Sequence, residues 1–248
     1  MDIGVSIGPY TDRIPSLPSR FDFTEIGIGE GEQPISKLDP DEITTSLDES
    51  GLGATVHLPY RQPLSTPVDR IDEATTEYLD TVLATASAIG ADKAVAHPDA
   101  RGSGHAPAAL AGRMAELTAR GQTHDVTVCY ETTGYAGGPR LDRVGELATR
   151  ADAAICLDVG YAYLEAGVDG VAEFVESYGD RVEHLHVHGA RRRNDTHIPV
   201  GSGDVEYDAL AESLVDADPE SATVEVFTDD SQYLTSSADR FLASIDSE

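Results

Sequence analysis

Short runs of apolar and β-branched residues alternate along the chain with longer stretches in which apolar residues recur every three or four positions. The short runs predict strands and the longer stretches predict amphipathic helices. The first connection, TDRIPSLPSR, contains two prolines and predicts a loop or a short helix. The strand candidates are 3–7, 22–28, 54–58, 93–97, 126–131, 154–158, 182–188 and 222–227, and the helical patterns are 67–89, 106–120, 139–150, 167–177, 205–216 and 233–245.

This alternation predicts the fold class. Eight strands separated by helices over 248 residues are typical of an α/β protein with a single (β/α)8 TIM barrel. An open, Rossmann-like sheet is the alternative. No internal repeat, low-complexity linker or change of composition divides the sequence, so we expect one barrel domain over residues 1–248.

The charge of the chain is unusual for such a fold. Lysine and arginine number 17 against 45 aspartates and glutamates, which gives a net charge of −28. The acids are interleaved with apolar residues, which indicates a folded domain with an acidic surface rather than a disordered acidic tail. Concentrated salt screens the repulsion between such charges, and the composition resembles that of haloarchaeal-type proteins.

The lengths of the apolar segments and the surroundings of the cysteines indicate the compartment in which the protein is expected. No segment approaches the roughly 20 apolar residues that a membrane span needs, and the start, MDIGVSIG, does not resemble a secretion signal. We therefore expect a cytoplasmic protein without membrane contact. Cys129 and Cys156 lie in apolar runs, which favours buried free thiols over a disulfide.

The stretch HLHVHGARRRNDTH, at 184–197, contains four of the eight histidines. Residues two apart on a strand share a face, so His184, His186 and His188 point one way and Leu185 and Val187 the other. In a barrel, the histidines are expected to face the axis. We expect His184 to be buried and hydrogen-bonded, whereas His188, further along the strand, either contacts a substrate or is structural.

Other polar residues end their strands on the same inward face. Active sites of (β/α)8 barrels form where the carboxyl ends of the strands meet, so these side chains are expected at one mouth. Histidines and carboxylates without thiolates suit Zn²⁺, Mn²⁺ or Mg²⁺. One such residue alone is usually structural, but the set covers six strand ends: His57, His97, Glu131, Asp158, His186, Glu225 and, from the following loop, Asp195 and His197.

Several segments carry a family resemblance. HLPY (57–60), IGADKAVAHP (89–98), CYETTG (129–134), CLDVGYAY (156–163), DTHIPVGSG (195–203) and VEVF (224–227) occur in this order. Together they resemble the xylose isomerase-like barrels over nearly the whole chain. That superfamily joins sugar isomerases and epimerases with endonuclease IV, a nuclease of apurinic sites.

The isomerase and epimerase branch implies one divalent metal. The resemblance assigns its ligands to Glu131, Asp158, His186 and Glu225. It also implies that Glu131 and Glu225 act as catalytic groups, removing a proton next to the sugar carbonyl and returning it through an enediolate. A cation on the neighbouring oxygens acidifies that C–H bond.

The endonuclease branch implies a cluster of three metals. It adds His57, His97, Asp195 and His197 as possible ligands, but Tyr161 stands where that branch has a further histidine. A phenol, with a pKa near 10, is a poor ligand at neutral pH. Tyr161 is instead expected to donate a hydrogen bond to a substrate oxygen or to pack.

A basic run precedes Asp195. Arg191, Arg192 and Arg193 either form a solvated loop or bind a phosphate of the substrate. A DNA duplex needs more cations over several loops, so this patch favours a sugar or sugar phosphate as partner over DNA.

The roles of several residues in other loops are less clearly indicated by the sequence. Glu30, Arg61 and Arg101 follow strands and either line the mouth or are solvated, and His105 and His124 are expected at the surface.

Three functions follow. The first is a metal-dependent sugar or sugar-phosphate isomerase or epimerase, which we favour. The second is a zinc-dependent apurinic/apyrimidinic endonuclease resembling endonuclease IV, and the third is a non-catalytic barrel that binds a metal or metabolite. A homo-oligomer is compatible with each.

Overall fold

The computed structural model describes residues 1–29, 33–102, 107–193 and 195–246. Eight parallel strands close into a barrel, and the predicted (β/α)8 fold is confirmed. Glu30 and His105 lie outside the described residues. The barrel strands are β1 (Asp2–Gly8), β2 (Phe23–Gly27), β3 (Gly53–His57), β4 (Ala91–Ala96), β5 (Thr127–Glu131), β6 (Ala154–Asp158), β7 (Val182–Val187) and β10 (Ser221–Val224).

Seven α-helices are found within the described ranges and connect or follow these strands. They are α1 (Pro40–Ser50), α2 (Asp69–Ala88), α3 (Pro107–Thr123), α4 (Leu141–Ala151), α5 (Val159–Tyr178), α6 (Tyr207–Asp216) and α7 (Ser231–Ile245). Short 3-10 helices span Thr11–Ser16, Ile35–Lys37, Gly134–Ala136 and Gly179–Arg181. The first of them lies in the connection predicted as a loop or a short helix. None of the helices within the described ranges is long and apolar enough to cross a lipid bilayer.

Three elements differ from the sequence prediction. Helix α1 was not predicted; the Asp39 side chain caps it by accepting from the backbone N–H groups of Asp41 and Glu42. Helix α5 begins at Val159 rather than at 167, because the Asp158 side chain caps an additional first segment of the helix. Gly167, with a positive φ of 70°, separates this segment from the predicted one. A small antiparallel hairpin follows β7, formed by β8 (Gly189–Arg191) and β9 (Asp195–Ile198).

The strand register explains how the site is positioned. Asp158 lies opposite His186, and His186 lies opposite Thr223, so the ends of β6, β7 and β10 are level. Strand β10 ends at Val224 rather than at 227, which places Glu225 just beyond it.

Successive side chains point to opposite faces of each strand, so the buried apolar residues form two separate groups. Leu185 and Val187 belong to the main core between strands and helices. Val95, Cys129 and Cys156 form a separate small cluster of buried residues. Both cysteines are buried and free, as predicted.

Candidate metal centre

Four side chains converge at the carboxyl end of the barrel. Glu131 ends β5, Asp158 ends β6, His186 lies in β7 and Glu225 follows β10. One potential ligand atom from each lies within 4.8 Å of the others. All four residues are buried, and Glu225 retains the most exposure, at 9%. This convergence is the one predicted from the polar residues that end the strands.

The two ring nitrogens of His186 have different surroundings. Nε2 lies 3.0 Å from Glu25 Oε2. Nδ1 is buried and makes no hydrogen bond, although Glu225 Oε2 lies 3.2 Å away and Glu131 Oε1 3.6 Å away. An unpartnered buried nitrogen facing two carboxylates suits a divalent cation, which takes nitrogen and oxygen ligands together. The residues present therefore fit the metal that the ligand pattern implies.

Further histidines face the two glutamates. His97 Nε2 lies 2.7 Å and His57 Nε2 3.4 Å from Glu131 Oε2, and His197 Nε2 lies 3.2 Å from Glu225 Oε2. His57, His97 and Glu131 form a second group whose ligand atoms lie within 4.8 Å of one another. The predicted residues His57, His97 and His197 are thus at the mouth.

These contacts set the charge of the site. Burial alone raises the pKa of Glu131, but His97, with His186 and His57, holds that pKa well below its usual range. Burial likewise opposes ionisation of Glu225, whereas His186 and His197 hold its pKa well below the usual value. Burial lowers the pKa of His57, but Glu131, together with Glu25 and Glu225, raises it to about 9. Both glutamates are therefore ionised carboxylates at neutral pH.

His188 lies beneath the cavity rather than on its surface. Its side chain is fully buried, with Nε2 3.1 Å from both carboxylate oxygens of Asp158 and Nδ1 3.0 Å from the Gly189 carbonyl oxygen. Gly160 provides the space, since a Cβ there would lie 2.3 Å from His188 Cε1. His188 therefore contacts Asp158 and is not among the described residues that line the cavity. His184, as predicted, is buried and bonded, with Nδ1 2.8 Å from Ser221 Oγ.

Tyr161 lines the cavity beside these groups. Its ring stacks on Tyr135, with centroids 6.2 Å apart, and meets His197 edge to face at 5.6 Å. Its backbone N–H donates to Asp158 Oδ1. Burial, with the nearby Asp158, raises the pKa of the phenol, so Tyr161 offers a hydrogen-bond donor at neutral pH.

The basic run and Asp195 lie elsewhere. Arg191 pairs with Asp195 on the exposed hairpin, and Arg192 lies over the Tyr163 ring, 5.7 Å from its centroid. Arg193 is exposed. The described lining of the cavity contains no lysine or arginine. The structure therefore does not bring the predicted phosphate-binding arginines or Asp195 to the site.

A cavity of about 260 Å³ opens above the four converging residues. Its walls are partly aromatic, and Phe227, 73% exposed, stacks flat on His197 with centroids 4.2 Å apart. The described lining residues are Ser6, Gly8, Gly27, His57, Tyr60, His97, Glu131, Ala136, Tyr161, His197, Glu225 and Phe227.

Sequence reasoning missed Glu25, Tyr60 and Phe227. Glu25 is fully buried in β2 and contacts His186 from across the barrel. The available signal was an acid in the middle of an otherwise apolar strand, which is rare without a partner. Tyr60 and Phe227 lie in loops that follow strands, where the sequence pattern does not show which way a side chain points.

Comparison with known proteins assigns the chain to a family. The family model described as xylose isomerase-like TIM barrel matches residues 20–246. The chain belongs to this family. The resemblance carried by the ordered sequence segments is thereby confirmed. A search of curated protein sequences finds no match.

Several solved structures resemble the chain over nearly all of its length. A D-tagatose 3-epimerase-like protein has a TM-score of 0.80 at 17% identity and covers 100% of this chain and 99% of its own. D-psicose 3-epimerase from Clostridium cellulolyticum H10, with D-tagatose, has a TM-score of 0.79 at 14% identity and covers 99% of both chains. D-allulose 3-epimerase from Methylomonas sp., in complex with D-allulose, has a TM-score of 0.79 at 16% identity and covers 98% of this chain and 96% of its own. At these identities, the likeness establishes a shared barrel fold.

Proposed function

We propose that the protein is a metal-dependent sugar epimerase or isomerase that moves a proton at the carbon next to a sugar carbonyl. The observation that carries the proposal is the buried, unpartnered Nδ1 of His186, which lies 3.6 Å from Glu131 Oε1 and 3.2 Å from Glu225 Oε2. Both glutamates line a cavity of about 260 Å³. Glu131, Asp158, His186 and Glu225 would hold the cation. When bound, it supplies Lewis acidity to adjacent sugar oxygens.

The two glutamates are suited to proton transfer in both directions. Glu131 belongs to β5 and Glu225 follows β10, so they approach the cavity floor from different sides of the barrel. Their lowered pKa values keep both unprotonated at neutral pH. One glutamate would remove the proton as a base, while the other would take up a proton from solvent and donate it to the opposite face of the enediolate, which inverts the carbon.

The cavity favours an uncharged sugar over a sugar phosphate. Its described lining has no cationic lysine or arginine for a phosphate, and it contains the anionic Glu131 and Glu225. Tyr60, Tyr161 and Phe227 offer aromatic faces against which the C–H surface of a sugar ring packs. Two similar structures contain free ketoses, D-tagatose and D-allulose. We infer that a free ketose is the substrate.

Turnover of a sugar panel tests this function. The protein, purified in high salt, is stripped with chelator and reloaded with Mn²⁺, Mg²⁺, Co²⁺ or Zn²⁺, and free ketoses and ketose phosphates are incubated with each form. We expect metal-dependent conversion of at least one free ketose and at least 10³-fold loss in Glu131→Gln, on the order expected for a lost catalytic base. Glu212→Gln, on the exposed face of α6, is the matched control. No conversion with any metal contradicts the proposal.

A repair endonuclease is the second candidate function. His57 and His97 at Glu131, and His197 at Glu225, exceed what one metal needs and favour this alternative. Cleavage of a duplex with one abasic site at high salt tests it, and Tyr161→His is expected to raise that cleavage. Cleavage without sugar turnover would favour the nuclease, and metal binding without either activity would favour a non-catalytic barrel.

A further inference from the structure

We propose that Glu25 is a positioning residue that fixes the tautomer and orientation of His186 for metal binding. The inference rests on the proposed metal site and extends it to β2, a strand that supplies none of the four ligands. Glu25 Oε2 lies 3.0 Å from His186 Nε2, and both side chains are fully buried. The pair spans the barrel interior, since β1 and β10 separate β2 from β7.

The direction of this hydrogen bond determines which nitrogen binds the cation. A carboxylate oxygen accepts, so His186 Nε2 carries the hydrogen and donates it. The lone pair of Nδ1 is then directed at Glu225 Oε2 and Glu131 Oε1, 3.2 and 3.6 Å away. Without an acceptor at Nε2, this tautomer loses the hydrogen bond that favours it. Carboxylate partners of ligand histidines have this effect in metal sites generally.

The surroundings of Glu25 do not favour a purely structural role. Its Oε1 has no hydrogen-bond partner although it is buried, which is costly for folding. His184 Nε2 is 3.9 Å from Glu25 Oε2, but the two His184 nitrogens lie within 3.0 Å of the hydroxyls of Ser221 and Thr223. The one hydrogen bond of the Glu25 side chain within the described residues is therefore the one to His186.

Metal affinity and thermal stability, measured together, test the role of Glu25. Mn²⁺ is titrated by calorimetry into chelator-treated wild type, Glu25→Gln, Glu25→Leu and Thr24→Val, and the melting temperature of each metal-free protein is recorded. Thr24 is the matched control because it is buried in the same strand on the opposite face, where its hydroxyl donates to the Val5 carbonyl oxygen. Every readout is independent of enzymatic turnover.

The expected results separate positioning from folding. Glu25→Leu is expected to weaken Mn²⁺ binding by about 10- to 100-fold. Its metal-free melting temperature is expected to fall, because His186 Nε2 is left buried without an acceptor. Glu25→Gln keeps a neutral acceptor and is expected to lose less affinity. Thr24→Val is expected to melt at a lower temperature and to bind Mn²⁺ as wild type does.

Other outcomes overturn the proposal in distinguishable ways. Equal affinity in wild type and Glu25→Leu would remove the positioning role and leave the proposed function intact. Loss of affinity in Thr24→Val as large as that in Glu25→Leu would assign Glu25 a merely structural role. Failure of the wild type to bind any divalent cation would overturn the proposed metal site and the role of Glu25 together.

Discussion

At the mouth of the barrel, contacts between histidines and carboxylates determine which side chains are charged. His97 and His57 face Glu131, and His197 faces Glu225, which keeps both glutamates ionised in a buried setting. These residues were predictable because polar residues at successive strand ends stand out from the apolar pattern. Glu25 was not predicted. An acid within a strand indicates that it has a partner, but the sequence does not show that the partner is His186 on the other side of the barrel.

Cysteine reactivity gives a prediction at this scale. Burial raises the pKa of Cys129 well above its usual value and that of Cys156 to about 12, so the reactive thiolate is scarce at pH 8. We expect neither thiol to react with an aromatic disulfide reagent in the folded protein and both to react after unfolding in denaturant. Rapid labelling of either cysteine in the folded state contradicts the burial of these thiols inside the barrel.

Among the elements, the strands were predicted to within a few residues, whereas α1 and the β8–β9 hairpin were not predicted. The strands carry a clear apolar pattern because they are buried on both faces. Helix α1 has two buried apolar residues, Ile43 and Leu47, among polar ones, so its periodicity is weak. The hairpin is short and largely polar, so it has no apolar alternation that would predict two strands.

Alanine substitutions at two glycines, one in a strand and one in a helix, are expected to change the free energy of unfolding in opposite directions. A Cβ at Gly4 in β1 would lie 2.2 to 2.5 Å from the Phe23 ring, whereas a Cβ at Gly112 in α3 meets no heavy atom within 4 Å. We expect Gly4→Ala to lower the free energy of unfolding by about 1–3 kcal/mol and Gly112→Ala to raise it by roughly 0.5–1 kcal/mol. Urea denaturation measures both. Equal effects in the two variants would contradict the close packing of β1 on β2.

Across the whole molecule, the main feature is the net charge of −28, carried by a chain with a large apolar core. Helix α1 shows the pattern, with Asp41, Glu42, Asp48 and Glu49 exposed and no basic residue in its sequence. Repulsion of this kind acts between surface charges and is screened within about 10 Å at 0.1 M salt. Composition alone indicated this property, because net charge depends on no detail of the fold.

Salt dependence follows from this charge. We expect the melting temperature to rise as KCl is increased from 0.1 to 2 M, since screening relieves repulsion in the compact state. The double variant Asp48→Asn/Glu49→Gln removes two acids near the C-terminus of α1, where the helix dipole also disfavours them. It should gain more stability at 0.1 M than at 2 M KCl. A melting temperature independent of salt contradicts this account of the surface.

Solvent deuterium exchange tests the central claim, that Glu131 and Glu225 move a proton at a sugar carbon in the metal site. The metal-loaded protein is incubated in D₂O with the ketose that it converts, and nuclear magnetic resonance follows the hydrogen on the carbon that inverts. We predict uptake of one deuterium at that carbon by wild type and no uptake with Glu131→Gln or Glu225→Gln, both folded. Full exchange in either variant, or conversion by wild type without deuterium uptake, would contradict the roles of these two glutamates.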